Sequence, residues 1–248
     1  MLIHIPLAKP PWTGPGKRLE SMVRKAIYDF GLIEDDKPLA VALSGGKDSL
    51  ALLFLLHAIK GRGCPDFPLI AIHVDGEYTC GAGVDKSFLK SICEKLEVPL
   101  FIKTVNQNKE DLECYSCSRK RRQTLFNTAK EQGCHKVAFG HHRDDSNQTL
   151  LMNLLHKGEF AANLPKVYMK EYDVYILRPL IYIAESLIIE FAKHYEFLRI
   201  SCQCPVGQDS LRKQTKTLIE DLTKLFPNTS GNLFQASLNY GSKKAQEP

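Results

Sequence analysis

One short segment restricts the fold of this chain more than any other feature. Ser44 to Ser49 reads Ser-Gly-Gly-Lys-Asp-Ser and lies between a short apolar run, Leu39 to Leu43, and a longer apolar stretch, Leu50 to Ile59. A buried run, a glycine-rich turn and a longer apolar stretch predict a strand, a loop and a helix. Such a turn directs backbone N–H groups and a helix N-terminus at one point, so it predicts an anion site.

The residues of this segment, called the phosphate loop below, suit the terminal phosphates of a nucleotide. Gly45 and Gly46 let the backbone approach phosphate oxygens, Lys47 adds a positive charge, and Asp48 can reach a magnesium ion that the phosphates share. The Walker A spacing is absent, so transfer of the γ-phosphate is not the expected reaction. An ordinary glycine-rich turn that caps a helix is the alternative. The candidate nucleotide-binding residues are Ala42, Ser44, Gly45, Gly46, Lys47, Asp48 and Ser49.

A second motif with adjacent carboxylates follows a later predicted strand. It spans Gly140 to Asp145 and reads Gly-His-His-Arg-Asp-Asp. Because the carboxyl ends of parallel strands meet at one sheet edge, we expect it to face the same crevice as the phosphate loop. Adjacent carboxylates suit magnesium, although Asp144 and Asp145 can also act as helix caps. The candidate nucleotide-binding residues at this edge are Gly140, His141, Asp145 and Asp75, with a packed histidine and a turn aspartate as structural alternatives.

Apolar runs alternate with amphipathic stretches through most of the chain. This alternation predicts an α/β fold with a doubly wound, mainly parallel sheet. We expect an N-terminal helical appendage (1–36), a nucleotide-binding domain (37–182) and a C-terminal helical extension (183–248) that ends in a partly ordered polar tail. The predicted strands are 39–43, 69–74, 98–105, 136–139 and 174–177. The predicted helices are 19–30, 50–59, which we expect to be buried, 84–96, 119–132, 145–156, 185–195 and 211–226, with a loop around Pro165.

Composition is that of an ordinary globular protein. Hydrophobic residues make up 44% and charged residues 25% of the 248 residues, which indicates neither disorder nor a fibrous class. The longest apolar run is about half of the roughly 20 residues that a membrane span needs. The proline-rich residues 1–16 lack a basic start followed by an apolar core, so no secretory signal is expected. We therefore expect a cytoplasmic protein without a membrane partner.

Four of the eight cysteines are clustered. Cys114 and Cys117 are separated by two residues, and Cys202 and Cys204 by one. A cytoplasmic chain keeps its thiols reduced and uses clustered ones for metal binding or catalysis. Four thiolates suit structural zinc, three leave one iron of a 4Fe-4S cluster without a protein ligand, and two can form a persulphide and then a disulphide. On the spacing of the cysteines alone, a structural zinc site is the first expectation.

A run of four cations follows the first cysteine pair. The net charge of +5, from 33 Lys and Arg against 28 Asp and Glu, is mild for a nucleic-acid binder, so local clustering carries more information. Four adjacent cations can hold a phosphate backbone, with a solvated helix face as the alternative. The candidate RNA-binding residues are Arg119, Lys120, Arg121 and Arg122.

The phosphate loop resembles that of the PP-loop ATP pyrophosphatase superfamily. Most of the chain, from Asp29 to about Asn239, resembles the bacterial tRNA 2-thiocytidine synthetase family. The residues that carry this resemblance are Ser44 to Ser49, Cys114 to Arg122, Gly140 to Asp145 with Thr149, Arg178-Pro179-Leu180, and Cys204 with Arg212 eight residues later.

The resemblance implies ATP-dependent thiolation of tRNA. The C2 oxygen of an anticodon-loop cytidine attacks the α-phosphate of ATP, pyrophosphate leaves, and sulphur replaces the adenylated oxygen to give 2-thiocytidine. The implied catalytic residues are Lys47, Asp48, Ser49 and Asp145, with magnesium on Asp48 or Asp145. The implied partners are the tRNA anticodon stem-loop, a cysteine desulphurase or another sulphur donor, and a second copy of the chain in a homodimer.

The resemblance also implies an oxygen-sensitive 4Fe-4S cluster on Cys114, Cys117 and Cys204. Cys204 fits the spacing to Arg212 better than Cys202 does. The family has Cys-x-x-Cys where this chain has Cys202-Gln203-Cys204, which leaves Cys202 as the alternative ligand. A further departure is Asn163 to Lys166, where the family carries Gly-Met-Pro-Pro.

Two rival functions follow from the same motifs. One is another PP-loop tRNA-modifying ligase with a structural zinc site, such as a lysidine synthetase or a 2-thiouridine synthetase. The lysidine enzyme shares the Gly-His-His block but lacks the cysteine pair followed by arginines, and the N-terminal cysteine pairs of the thiouridine enzymes are missing because no cysteine precedes Cys64. The other is a non-catalytic iron-sulphur RNA-binding protein, against which the intact Lys47 and Asp48 argue.

Overall fold

Six strands form one sheet within residues 5–76, 85–105, 114–197 and 211–241, the parts of the chain that the computed structural model describes, with only the backbone for residues 114–118. The strands are β1 (Leu39–Ala42), β2 (Leu69–Asp75), β3 (Leu100–Thr104), β4 (Lys136–Ala138), β5 (Lys166–Met169) and β6 (Val174–Leu177). The helices are α1 (Pro15–Asp29), α2 (Lys47–Ile59), α3 (Lys86–Lys95), α4 (Cys114–Glu131), α5 (Arg143–Lys157), α6 (Glu185–His194), α7 (Leu211–Leu225) and α8 (Thr229–Tyr240).

The strand order β3-β2-β1-β4-β6-β5 places β1 and β4 side by side in the middle of the sheet. Neighbouring strands are parallel except β5 and β6, which are antiparallel. Val41 of β1 lies level with Ala71 of β2 and Ala138 of β4. From β1 the strand order continues to β2 on one side, and from β4 it continues to β6 on the other, so the order changes direction between β1 and β4. Open α/β sheets bind ligands at such a switch point. The predicted doubly wound, mainly parallel sheet is confirmed.

Helix α2 is the centre of the hydrophobic core. Its residues Leu50 to Leu56 have no exposed surface and pack with α1 and α6 on one side of the sheet. On the other side, Phe126 of α4 packs with Ile70 and Ile72 of β2. The predicted buried helix is confirmed, and its burial fixes the position of the loop that precedes it. Neither α2 nor any other described helix is long and apolar enough to cross a membrane.

Helix α1 confirms the amphipathic pattern expected near the N-terminus. Leu19, Val23 and Ala26 have no exposed surface and belong to the same core as α2. Pro15 occupies the start of the helix, where its missing N–H is tolerated.

The expected tail after residue 228 is wrong for residues 229–240, which form α8. Phe234 on this helix is buried. Asn147 of α5 donates from Nδ2 to the carbonyl and hydroxyl oxygens of Ser230, at 2.9 and 3.0 Å. Polar composition suggested a tail, whereas Ser237 is buried as well and Leu238 packs against the hydrophobic core.

Two further local expectations were wrong. Strand β5 forms where a loop was expected around Pro165, and it pairs with β6 through Tyr168 and Tyr175, whose ring centroids are 4.9 Å apart. A four-residue edge strand gives too few alternating positions for a clear sequence signal. Helix α4 begins at Cys114 rather than at Arg119, so the first cysteine pair lies inside its first turns.

Candidate active site

The phosphate loop is closed by its own serine hydroxyls. Gly45, whose φ is 88°, donates from its backbone N–H to Ser49 Oγ at 3.2 Å, and Ser49 Oγ donates to the Gly46 carbonyl at 3.0 Å. Ser44 Oγ accepts from the Gly46 N–H at 3.4 Å and lies 3.1 Å from Ser49 Oγ. The predicted loop therefore has a defined geometry, in which Ser49 bonds within the loop and Ala42 ends β1.

Lys47 lies between two carboxylates. Its Nζ is 3.0 Å from Asp48 Oδ1 and 3.0 Å from Glu185 Oε1. Burial alone would lower the pKa of Lys47, but the negative charges of Asp48 and Glu185 outweigh burial and raise it. Lys47 is therefore an ammonium ion at neutral pH, as the binding of phosphate requires.

The second motif touches the first turn of α2. A Cβ atom added to Gly140 would lie 2.9 Å from the backbone carbon of Asp48 and 3.0 Å from both the Asp48 oxygen and the Ser49 nitrogen. The two motifs that the sequence assigns to one crevice therefore meet in the structure.

His142 lies among the carboxylates of both motifs, whereas the sequence had singled out His141. His142 is buried, with Nε2 3.8 Å from Asp48 Oδ1 and 3.4 Å from Asp145 Oδ2, and Nδ1 3.7 Å from Asp144 Oδ2. Two adjacent histidines look alike in sequence, and only the turn into α5 decides which of them faces Asp48.

His141 has a different set of partners. Its ring stacks on Phe139 with the ring planes 1° apart, and Nδ1 accepts from Arg178 Nε at 3.3 Å. Arg178 is buried and also donates from Nη1 to the Leu164 carbonyl at 2.5 Å. Burial and the nearby Arg178 charge lower the pKa of His141, so its ring is neutral at pH 7.

Asp144 and Asp145 both accept hydrogen bonds from backbone N–H groups at the start of a helix, which is the capping role that the sequence offered as the alternative to magnesium binding. Asp145 Oδ2 accepts from the His142 N–H at 3.1 Å, and Asp145 Oδ1 pairs with Arg212 Nη1 at 3.0 Å. Asp144 Oδ2 accepts from the Glu185 N–H at 2.8 Å, at the start of α6. Burial would raise the pKa of Asp145, but His142, His141 and Arg212 lower it further than burial raises it. Asp145 is therefore ionised at neutral pH.

Glu185 is a member of the site that sequence reasoning missed. Its carboxylate contacts Lys47 through Oε1 and Lys216 through Oε2, the latter at 2.8 Å. Burial opposes ionisation, but the hydrogen bonds from Lys216 and Lys47 lower the pKa of Glu185 to about 2. Acidic residues are common at the first position of a helix. The sequence around Glu185 therefore gives no sign that its side chain contacts a loop residue 138 positions away.

Asp75 and the basic run lie at the neighbouring strand end. Asp75 Oδ1 accepts from the Gly76 N–H at 2.8 Å, and its other oxygen pairs with Lys86. Arg121 donates from Nη2 to the Val74 carbonyl at 3.2 Å, so this cation turns toward the sheet. The side chains of Arg119, Lys120 and Arg122 are exposed.

The clustered cysteines can be located only in part. Cys114 and Cys117 occupy the first turns of α4, and Cys202 and Cys204 lie outside the described residues. Within the described ranges, no group of three or more His, Cys, Asp or Glu side chains is arranged to hold a metal ion. Cys93 is buried in the core, and burial raises its pKa to about 12.

The sheet, the switch point and the phosphate loop define a PP-loop nucleotide-binding protein. The PP-loop domain family matches residues 16–198. The tRNA-cytidine(32) 2-sulfurtransferase of Neisseria meningitidis serogroup C is 36% identical over 232 residues, which span 90% of this chain and 72% of that protein. The enzyme of the same name from Geobacter sulfurreducens is 34% identical over 227 residues, 89% of this chain and 88% of its own. The chain belongs to the tRNA-cytidine(32) 2-sulfurtransferase family.

A solved structure supports the fold. The U34-tRNA thiolase NcsA from Methanococcus maripaludis, described with its 4Fe-4S cluster, superposes with a TM-score of 0.73. It is 24% identical in sequence and covers 90% of this chain and 78% of its own.

Proposed function

We propose that this chain adenylates the C2 oxygen of cytidine 32 in tRNA with ATP and replaces that oxygen by sulphur, giving 2-thiocytidine. The observation that supports this most is the contact of Gly140 with Asp48, which joins an anion loop to an acidic motif at a sheet switch point. The names of the relatives indicate the substrate, a cytidine of tRNA, and the transfer of sulphur. The fold and family supply the nucleotide.

The phosphate loop stabilises pyrophosphate as the leaving group. Lys47 is an ammonium ion, and the amides at the start of α2 point away from the helix, so charge that develops on the leaving oxygen meets fixed positive groups. Ser49 keeps the loop in this shape through its bonds to Gly45 and Gly46. Its role is therefore to position the loop amides.

Asp48 and Asp145 fit a magnesium ion shared with the phosphates. Asp48 Oδ1 is buried and makes no hydrogen bond of good geometry among the described residues, although the Lys47 ammonium lies beside it. Both carboxylates approach the same His142 ring, so their oxygens face one region. Carboxylate oxygens together with phosphates are the usual ligands of magnesium.

The cysteines fit a 4Fe-4S cluster. Cys114 and Cys117 are separated by two residues in the sequence, a spacing that lets two thiolates reach one cluster. We assign Cys114, Cys117 and Cys204 as its ligands, with Cys202 as the alternative third ligand. When bound, such a cluster offers one iron without a protein ligand, open to a sulphur atom from outside.

The basic run is proposed to bind the tRNA. Arg119, Lys120 and Arg122 are exposed on α4 directly after the cysteine pair, where they can meet the phosphates of the anticodon stem-loop. Arg121, which turns to the Val74 carbonyl, is proposed to line the crevice at the end of β2 beside Asp75. We further propose a cytoplasmic enzyme, supplied with sulphur by a cysteine desulphurase or another donor, that acts as a homodimer.

Anaerobic turnover tests this function. The protein is purified and reconstituted without oxygen, incubated with tRNA, ATP, magnesium and sulphide, and the tRNA is digested for nucleoside mass analysis. We expect the mass gain of oxygen-to-sulphur exchange on cytidine, and none with the variant Lys47→Met. No mass gain in a sample with an intact cluster would reject the proposal.

The same sample separates the rivals. A colourless protein that contains zinc and no iron would favour another PP-loop ligase. A protein that binds iron and tRNA but releases no pyrophosphate from ATP would favour a non-catalytic RNA-binding role.

A further inference from the structure

Lys216 of α7 and Lys47 of the phosphate loop share one carboxylate. Lys47 Nζ donates to Glu185 Oε1 at 3.0 Å, and Lys216 Nζ donates to Glu185 Oε2 at 2.8 Å. Glu185 is the first residue of α6, and its backbone N–H is held by Asp144 of the second motif. The two ammonium groups, called the lysine pair below, therefore converge at a fixed point beside the phosphate loop.

The lysine pair keeps a net positive charge with its shared carboxylate. The hydrogen bond to Glu185 is the main reason that the pKa of Lys216 is raised, and both lysines are charged at neutral pH. Two ammonium groups and one carboxylate leave a charge of +1 at this point. Asp48 also contacts Lys47, at 3.0 Å, and its charge cancels this surplus until the proposed magnesium ion neutralises that carboxylate. With magnesium on Asp48, the lysine pair is available to an anion.

Lys216 has donors to spare. An ammonium group has three N–H donors, and the bond to Glu185 uses one of them. The Lys216 side chain is 47% exposed, so its remaining donors can turn toward a ligand that arrives from solvent. Lys47, whose side chain is only 18% exposed, uses its donors on Asp48 and Glu185 and is less free to move.

From this geometry we infer that Lys216 is a second cationic ligand of the terminal phosphates of ATP, and that Glu185 positions the lysine pair. The inference rests on the proposed function, since it requires those phosphates to bind at the phosphate loop. It adds a residue of α7, outside the matched PP-loop domain of residues 16–198, to the nucleotide site. Two lysines can contact both phosphates of pyrophosphate, whereas AMP lacks these terminal phosphates.

Calorimetric titration of the full chain with magnesium pyrophosphate and, separately, with AMP tests the inference. We expect Lys216→Met to weaken pyrophosphate binding about tenfold, as the loss of one partly exposed charged hydrogen bond does, and to leave AMP binding unchanged. Lys216→Arg keeps the charge and is expected to recover most of the affinity. The matched control is Lys224→Met, on the same helix, where the lysine pairs only with Asp221 among described residues, at 2.7 Å; we expect wild-type binding.

Three results would overturn the inference. They are equal pyrophosphate affinities for the wild type and Lys216→Met, equal losses for pyrophosphate and AMP, and an arginine variant as weak as the methionine variant. A wild-type protein that binds neither pyrophosphate nor ATP would instead refute the proposed function, so the two failures are distinguishable.

Discussion

Gly140 lies directly against the backbone of Asp48. A Cβ atom at Gly140 would be 2.9 Å from the carbonyl carbon of Asp48, closer than side chains approach backbone atoms in proteins. The atoms that it would meet belong to the first turn of α2 and cannot rotate away as a flexible side chain can. The missing side chain at Gly140 is therefore what lets the acidic motif approach the phosphate loop.

The variant Gly140→Ala should separate the two motifs. Because the added methyl group overpacks a backbone contact, we expect a loss of about 1–3 kcal/mol in the free energy of unfolding and weaker ATP binding. Urea unfolding and calorimetric titration measure the two effects. The control is Gly231→Ala in α8, where an added Cβ meets nothing within 4 Å, and where we expect no loss of stability. Wild-type stability and ATP affinity in Gly140→Ala would contradict the contact.

Helix α8 should contribute to stability through its buried ring. Phe234→Ala removes a side chain that is 7% exposed, and we expect it to cost about 3 kcal/mol of unfolding free energy. Tyr240→Ala, on the same helix but 74% exposed, should cost less than about 1 kcal/mol. Equal, small effects of both variants in urea unfolding would indicate that residues 229–240 do not dock on α5.

Buried His73 should make stability depend on pH. Its Nδ1 lies 2.8 Å from the Leu43 carbonyl, and burial lowers its pKa below 6.5. The unfolded chain therefore takes up a proton that the folded chain does not, so stability falls as the pH drops below 6.5. One such group contributes up to about 1.4 kcal/mol per pH unit.

We expect His73→Gln to unfold more easily at pH 7.5 than the wild type but to lose less further stability on acidification. Urea unfolding at several pH values gives the slope. His156→Gln, at an exposed histidine near the end of α5, is the control and should keep the wild-type slope. A wild-type slope in His73→Gln would show that His73 does not carry the effect.

Single serine substitutions should identify the cluster ligands. We expect Cys114→Ser, Cys117→Ser and Cys204→Ser to lose iron and the visible absorbance of a reconstituted sample, because each removes one thiolate. Cys202→Ser should retain both, as should Cys64→Ser, the control at a half-buried cysteine near Arg24. If Cys202→Ser lost the iron and Cys204→Ser kept it, the third ligand would be reassigned.

Local patterns were sufficient to predict the phosphate loop and the sheet. The apolar runs at β1 and α2 flank a glycine-rich turn, and such a combination has few folded outcomes. Gly140 was also predicted at the shared edge, because it follows a buried strand. These features depend on residues that are neighbours in the chain.

Features that depend on distant packing were missed. Glu185 and Lys216 join the site only because α6 and α7 pack beside the phosphate loop, which no spacing in the sequence reveals. His142 was passed over for His141, since the choice between adjacent histidines depends on how the chain enters α5. Strand β5 and helix α8 were missed because each depends on a few contacts with other elements.

The fate of one oxygen atom tests most directly whether the phosphate loop serves adenylation of the base. The tRNA is prepared with ¹⁸O at the C2 position of its cytidines and incubated without oxygen with the reconstituted protein, ATP, magnesium and sulphide. If that oxygen attacks the α-phosphate and leaves with it, the AMP formed will carry one ¹⁸O for each thiolated cytidine. Thiolated tRNA accompanied by unlabelled AMP would contradict the adenylate.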